Sequence, residues 1–173
     1  MRLTVVGCGD AFGSGGRLQT SFHVTSQSGE FLIDCGATTL LGLQRLNIDP
    51  DKITKIFITH LHGDHFAGLA WLLIYFIFSS KRTSPLLITG PLGLEDRLFN
   101  VAEALYPGLS KSQRNFELKF ISYKEQNPLF IDDISVHPFE VSHPSGAPSY
   151  GLRITSENRV VAFSGDTEWV EAL

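Results

Sequence analysis

Two cysteines, Cys8 and Cys35, stand in a chain of 173 residues. They are too few for a disulfide framework and read as buried free thiols suited to a reducing compartment. The N-terminal stretch MRLTVVGCGDAFG has one Arg and no sustained apolar region, so it does not read as a signal peptide. No run of Lys or Arg exceeds two (Lys81 and Arg82), and 18 acidic residues outnumber 14 basic ones for a net charge of −4. The basic stripe that displaces counterions from a phosphate backbone is missing, which argues against sequence-independent nucleic-acid binding but not against a small anionic substrate held by metal ions. The longest apolar run, Phe66 to Phe78, falls short of the roughly 18 residues that span a bilayer. A soluble, cytoplasmic protein is the expectation.

What is present reads as one domain. A 43% hydrophobic and 18% charged composition is globular, and the length suffices for a real core. RLTVVG, SFHVTS, EFLIDCG, TKIFIT and PLLITG are β runs, with SFHVTS and EFLIDCG forming a hairpin about QSGE. TTLLGLQRLNI has helical spacing, with Leu40, Leu43 and Leu46 on one face. Residues 65–79 read as a helix apolar nearly all round, and PLGLEDRLFNVAEAL as a helix opened by a proline. FELKFISY, LFIDDISVHPFEV, SYGLRITSE and RVVAFSGD supply four more β segments. Strands with helices interspersed and no internal linker predict an α/β sandwich, sheets inside and helices outside.

One stretch stands apart. In TKIFITHLHGDHFAGLAWLL, His60, His62, Asp64 and His65 crowd into six positions at the end of an apolar run. Residues two apart on an extended segment project the same way, so His60 and His62 can bind one divalent ion through neutral imidazoles. Asp64 and His65 follow where the backbone turns into a helix, with Gly63 easing the turn, and so face a neighbouring position. The spacing favours two adjacent metals. Imidazole-rich ligation favours zinc, with manganese or iron as alternatives.

The H-x-H-x-D-H pattern resembles the signature of the metallo-β-lactamase superfamily. On that resemblance, His143 in VSHPSGAPSYGLRI corresponds to a third histidine on the first metal. Asp166 in AFSGDT corresponds to an aspartate bridging both ions, and Asp34 in FLIDCG to one that fixes a ligand imidazole from behind. The implied fold is a four-layer αββα sandwich over residues 1–173. His60, His62 and His143 would hold one metal; Asp64, His65 and Asp166 the other. A shared metal-bound hydroxide would attack the substrate, oriented by Asp64 as the catalytic carboxylate. SYGLRI and SGDT resemble the ribonuclease Z and small phosphodiesterase branch, which implies phosphodiester hydrolysis.

Two departures refine this. The first loop reads GSGGRLQTS where tRNA-processing members carry P-x-K-x-R-N, and only 22 residues separate His143 from Asp166, too few for their basic arm. A small phosphodiester is therefore expected in place of tRNA. The resemblance also implies a further histidine beyond the bridging aspartate, completing the second metal site, and the tail SGDTEWVEAL, read as helix, ends before it. The expectation is a C-terminally incomplete domain, lacking the final strands and helix, with a weakened second site. Alternatives are hydrolysis of a carbon ester, lactone or sulfate ester, or a non-catalytic metal-binding protein. His23 and His137 read as structural, Asp10 as either a turn cap or a neighbour of the ligands, and the 66–78 helix as a homodimer contact.

Overall fold

Side chains along the strands point alternately into two apolar clusters, and this alternation builds the molecule in layers. The computed structural model describes residues 1–124, 127–169 and 171. Its first six strands are β1 (Arg2–Gly7), β2 (Ser21–Ser26), β3 (Gly29–Ile33), β4 (Ile53–Phe57), β5 (Leu86–Gly90) and β6 (Leu118–Ser122). They form one sheet in sequence order, antiparallel from β1 to β3 and parallel from β3 to β6. The remaining strands, β7 (Leu129–Ile131), β8 (Ile134–Glu140), β9 (Tyr150–Ser156) and β10 (Arg159–Phe163), form a second, antiparallel sheet in the order β10-β9-β8-β7.

Phe31, Ile33 and Phe57 point from the first sheet toward Ile134, Val136, Leu152 and Ile154 of the second. Leu32, Ile56 and Ile88 point the other way, onto the helices. There, α1 (Thr39–Arg45), α2 (Gly63–Phe66), α3 (Gly68–Phe78) and α4 (Leu94–Leu105) contribute Leu43, Phe66, Leu72, Leu73, Phe76 and Leu98. Burying a side chain of this size stabilises the fold by about 1.5–3 kcal/mol over leaving it exposed. The described residues thus build a helix layer and two sheets, three layers of the αββα sandwich. Every described helix lies on the outer face of the first sheet.

Several elements differ from the sequence reading. The helix expected at 38–48 stops at Arg45, leaving Leu46 exposed beyond it while Leu43 is buried. The 65–79 segment is two helices that meet at Ala67. LFIDDISVHPFEV is a hairpin, because Asp132 adopts a left-handed conformation (φ 55°) that turns the chain between β7 and β8. Residues 164–169 of the tail are not helical; residues 170, 172 and 173 lie outside the described residues. Cys35 is buried as expected, but Cys8 is exposed on the first loop; both are free. The apolar girdle of α3 is mostly covered. Trp71, Ile74, Tyr75 and Ile77 pack partly buried against the core, and only Phe78, at 68%, is largely exposed. No helix among the described residues is long and apolar enough to cross a membrane.

Candidate metal centre

Apart from Asp64 and His65, which lie on α2, the candidate ligands and their supports sit just past the C-terminal ends of strands. Asp34 follows β3; Thr59, His60 and His62 follow β4; His143 follows β8; and Asp166 follows β10. In open α/β sheets the strand ends form the crevice where ligands collect. Here the parallel strands of one sheet and the antiparallel strands of the other end at the same place, so residues 81 positions apart, His62 and His143, come within 3.0 Å.

Two groups of ligand-type side chains result. The potential ligand atoms of His60, His62 and His143 lie within 4.8 Å of one another, and so do those of His60, His65 and Asp166. The rings of the first group meet edge to face, 4.8–5.0 Å between centroids. His65 Nε2 faces Asp166 Oδ1 at 3.3 Å and Asp64 Oδ2 at 3.5 Å. Asp64 therefore stands beside the second group, and His60 belongs to both groups. Gly63, expected to ease the turn, is an ordinary first residue of α2 without a left-handed conformation; His62 in an extended conformation makes the turn.

Hydrogen bonds behind His60 and His65 fix which nitrogen each offers. Asp34 accepts from the Thr59 backbone N–H (2.7 Å), the Thr59 hydroxyl (2.8 Å) and His65 Nδ1 (2.7 Å). Three donors on one buried carboxyl are the surroundings of a carboxylate. Burial raises Asp34 from its ordinary value, and His65 and Thr59 oppose that rise. With the Thr59 proton given to Asp34, its oxygen at 3.0 Å from His60 Nδ1 accepts the imidazole N–H. That leaves His60 Nε2 as an unprotonated nitrogen, and it is fully buried with no hydrogen-bond partner. An orphaned lone pair among two further imidazoles is costly in a protein interior unless something electrophilic takes it up. The donor set fits a divalent metal.

Electrostatics agree at His60 and oppose ligation at His65. Burial, reinforced by the neighbouring imidazoles, pushes His60 down to about 3, so it is neutral at pH 7. Burial also disfavours charge on His65, but hydrogen bonds and charge from Asp166 and Asp34 outweigh it and raise this imidazole to about 10. The hydrogen bond with His65 holds Asp166 at about 2.

Thr59, invisible to motif reading, is the link by which one aspartate positions two histidines; the only sequence signal was its place immediately before His60. Asp10 caps its own loop, accepting from Phe12 N and Ser14 N. His23, buried, pairs with Glu30 at 2.9 Å on the neighbouring strand, and His137 is exposed on β8.

Comparison with known proteins accords with this geometry. The family model described as Anti-Pycsar protein Apyc1 matches residues 1–173. A ribonuclease Z from Oceanobacillus iheyensis is 32% identical over 163 residues, 92% of this chain and 51% of that protein. The chain thus spans about half the length of the curated relatives it matches. The crystal structure of the short form of human tRNase Z superposes with a TM-score of 0.76 at 28% identity, over 96% of this chain and 69% of that one. The metallo-β-lactamase-fold protein YhfI from Bacillus subtilis gives the same TM-score at 22% identity, over 98% and 65%.

Proposed function

The chain belongs to the anti-Pycsar Apyc1 family, within the ribonuclease Z-like part of the metallo-β-lactamase superfamily, and from that premise we propose that it carries the metal centre of a phosphodiesterase for small phosphodiesters. The observation that carries this reading is the pair of ligand groups meeting at His60. His60, His62 and His143 would hold one zinc, and His65 and Asp166, with Asp64 beside them, a second. Such a pair supplies Lewis acidity toward the phosphoryl oxygens and an acidified water as nucleophile. The chain's own part is to orient. Asp34 and Thr59 set the two buried imidazoles, and Asp64, buried beside His65, would orient the nucleophile.

A small substrate suits the short connection between His143 and Asp166 and the net charge of −4. Residues 1–173 form, in this reading, a single domain, and the two free cysteines suit a cytoplasmic setting. A second copy is proposed against the end of α3. There Phe78, Leu105 and Tyr106 line an apolar groove of about 400 Å³ with Ile74, Pro107 and Leu109. A monomer in sedimentation at high micromolar concentration would refute the dimer. The activity is tested with bis(p-nitrophenyl) phosphate against p-nitrophenyl acetate, with and without chelator. Chelator-sensitive turnover of the first is expected; turnover of the acetate alone would transfer the centre to carbon esters.

A further inference from the structure

Two loops from different sheets must stay in register for the first ligand group to exist, and one side chain ties them. Arg97, on the first turns of α4, directs Nη1 to the carbonyl oxygens of Leu61 at 3.2 Å and Ser145 at 3.1 Å. Leu61 is the residue between His60 and His62; Ser145 lies two residues beyond His143. No ion pair among the described residues includes Arg97, so its charge is met by these carbonyls. The His143 loop is folded around the guanidinium. Gly146 is left-handed (φ 77°), and a Cβ there would stand 3.2 Å from Arg97 Nη2.

The contact is relayed to the ligand itself. Ser145 Oγ lies 3.0 Å from Ser149 Oγ, which donates to the His143 carbonyl at 2.7 Å. Both serines are buried. At its far end the same loop is fastened by Tyr150 N–H donating to Thr59 O at 3.0 Å. The loop is therefore held against the His60–His62 segment at both ends, once by backbone and once by Arg97.

We propose that Arg97 is a positioning residue for the first metal site, a cross-link that sets the distance of His143 from His60 and His62. A cation bonded to two carbonyls in fixed directions constrains both loops at once. Both bonds leave Nη1, whose two N–H directions are fixed by the planar guanidinium, whereas the rotatable ammonium of Lys sets no such directions. This inference rests on the metal-centre reading, and its test separates the two.

Zinc affinity is measured for the protein and its Arg97→Ala and Arg97→Lys variants by competition with a chromophoric chelator. The visible spectrum of the Co(II) form and the melting temperature of the metal-free form are recorded beside it. Arg114→Ala, which removes a guanidinium lying over Phe99 on the other side of α4, is the control for lost charge. Supports behind metal ligands typically govern 10–100-fold in affinity. Arg97→Ala should therefore bind the first zinc weaker by about 10–100-fold, with an altered Co(II) spectrum, Arg97→Lys falling between it and the parent. Arg114→Ala should bind as the parent does. If Arg97→Ala lowers the metal-free melting temperature but keeps parental affinity and spectrum, Arg97 is structural only and the inference fails. Should Arg97→Ala not fold, affinity and spectrum of Arg97→Lys decide between the same two outcomes. A parent protein that binds no zinc overturns the centre itself, and this inference with it.

Discussion

Asp34 Oδ2 and His65 Nδ1 lie 2.7 Å apart, both fully enclosed, in a loop where Asp34 holds a left-handed conformation (φ 57°). Asn tolerates that conformation nearly as well as Asp, so Asp34→Asn keeps the backbone while replacing a double acceptor by a group that also donates. The His65 tautomer then loses its anchor. Because Asp34 also sets His60 through Thr59, metal affinity of both groups should fall, by about 10–100-fold in the second, whose histidine it contacts directly, read by stepwise zinc titration.

Asp64→Ala should abolish phosphodiester turnover while leaving His60, His62 and His143 able to bind their ion. Turnover of bis(p-nitrophenyl) phosphate alongside metal content checks both halves. An active variant would remove Asp64 from the chemistry.

Zinc should bind in two unequal steps. The first group is three imidazoles, whereas the second relies on Asp166, whose side chain is 48% exposed, and on His65, which must first lose a proton. Calorimetric titration of the chelated protein tests this, with His143→Ala expected to remove the tighter step.

The metal-free protein should be most stable near pH 6.5. His60 is held at about 3 against an ordinary 6.5, so below 6.5 the unfolded chain takes up a proton that the folded one refuses, and stability falls with pH. Asp166, held at about 2 against 3.8, adds to that loss between those values. His65, raised to about 10, favours folding fully below 6.5, and that contribution disappears as pH rises through 10. Melting temperature against pH in excess chelator should show a dome, and His65→Gln should flatten its alkaline side.

Gly68→Ala should destabilise the fold. A Cβ there would fall 2.1 Å from the Gly36 carbonyl oxygen and 2.8 Å from that of Cys35, backbone that cannot swing aside. Overpacking of this kind costs about 1–3 kcal/mol, and the shift would drag α3 from the sheet beside His65. Urea denaturation measures it.

Much of this was legible in the residues. The unbroken apolar run Phe31, Leu32 and Ile33 fits a strand buried on both faces, and the histidine spacing after β4 names a metal site. What was not legible depends on tertiary distance. Nothing near Arg97 in sequence reports that its guanidinium meets Leu61 and Ser145. Whether Thr59 points to Asp34 is decided by the parallel pairing of β3 and β4, which sets Ile33 beside Phe57. The split of residues 63–78 into two helices and the length of α1 were hidden because leucine-rich runs fit several helix boundaries equally well. The cover over α3 was missed because a run of apolar residues states what must be buried but not by what.

His60 and His62 follow a strand of the first sheet, and His65 lies on α2 next in the chain. His143 and Asp166 follow strands of the second sheet, which packs on the first through a hydrophobic interface. A chain that has assembled only its first sheet can display three imidazoles but cannot close either group. Metal capture would thus come late on the folding route, after contacts of long sequence separation that form slowly. A captured ion would act as a rivet through both plates of the sandwich. Pulling the sheets apart, by force or by a protease acting on a transient opening, would then require its release, and the resistance of the loaded protein would be set by how fast the ion escapes.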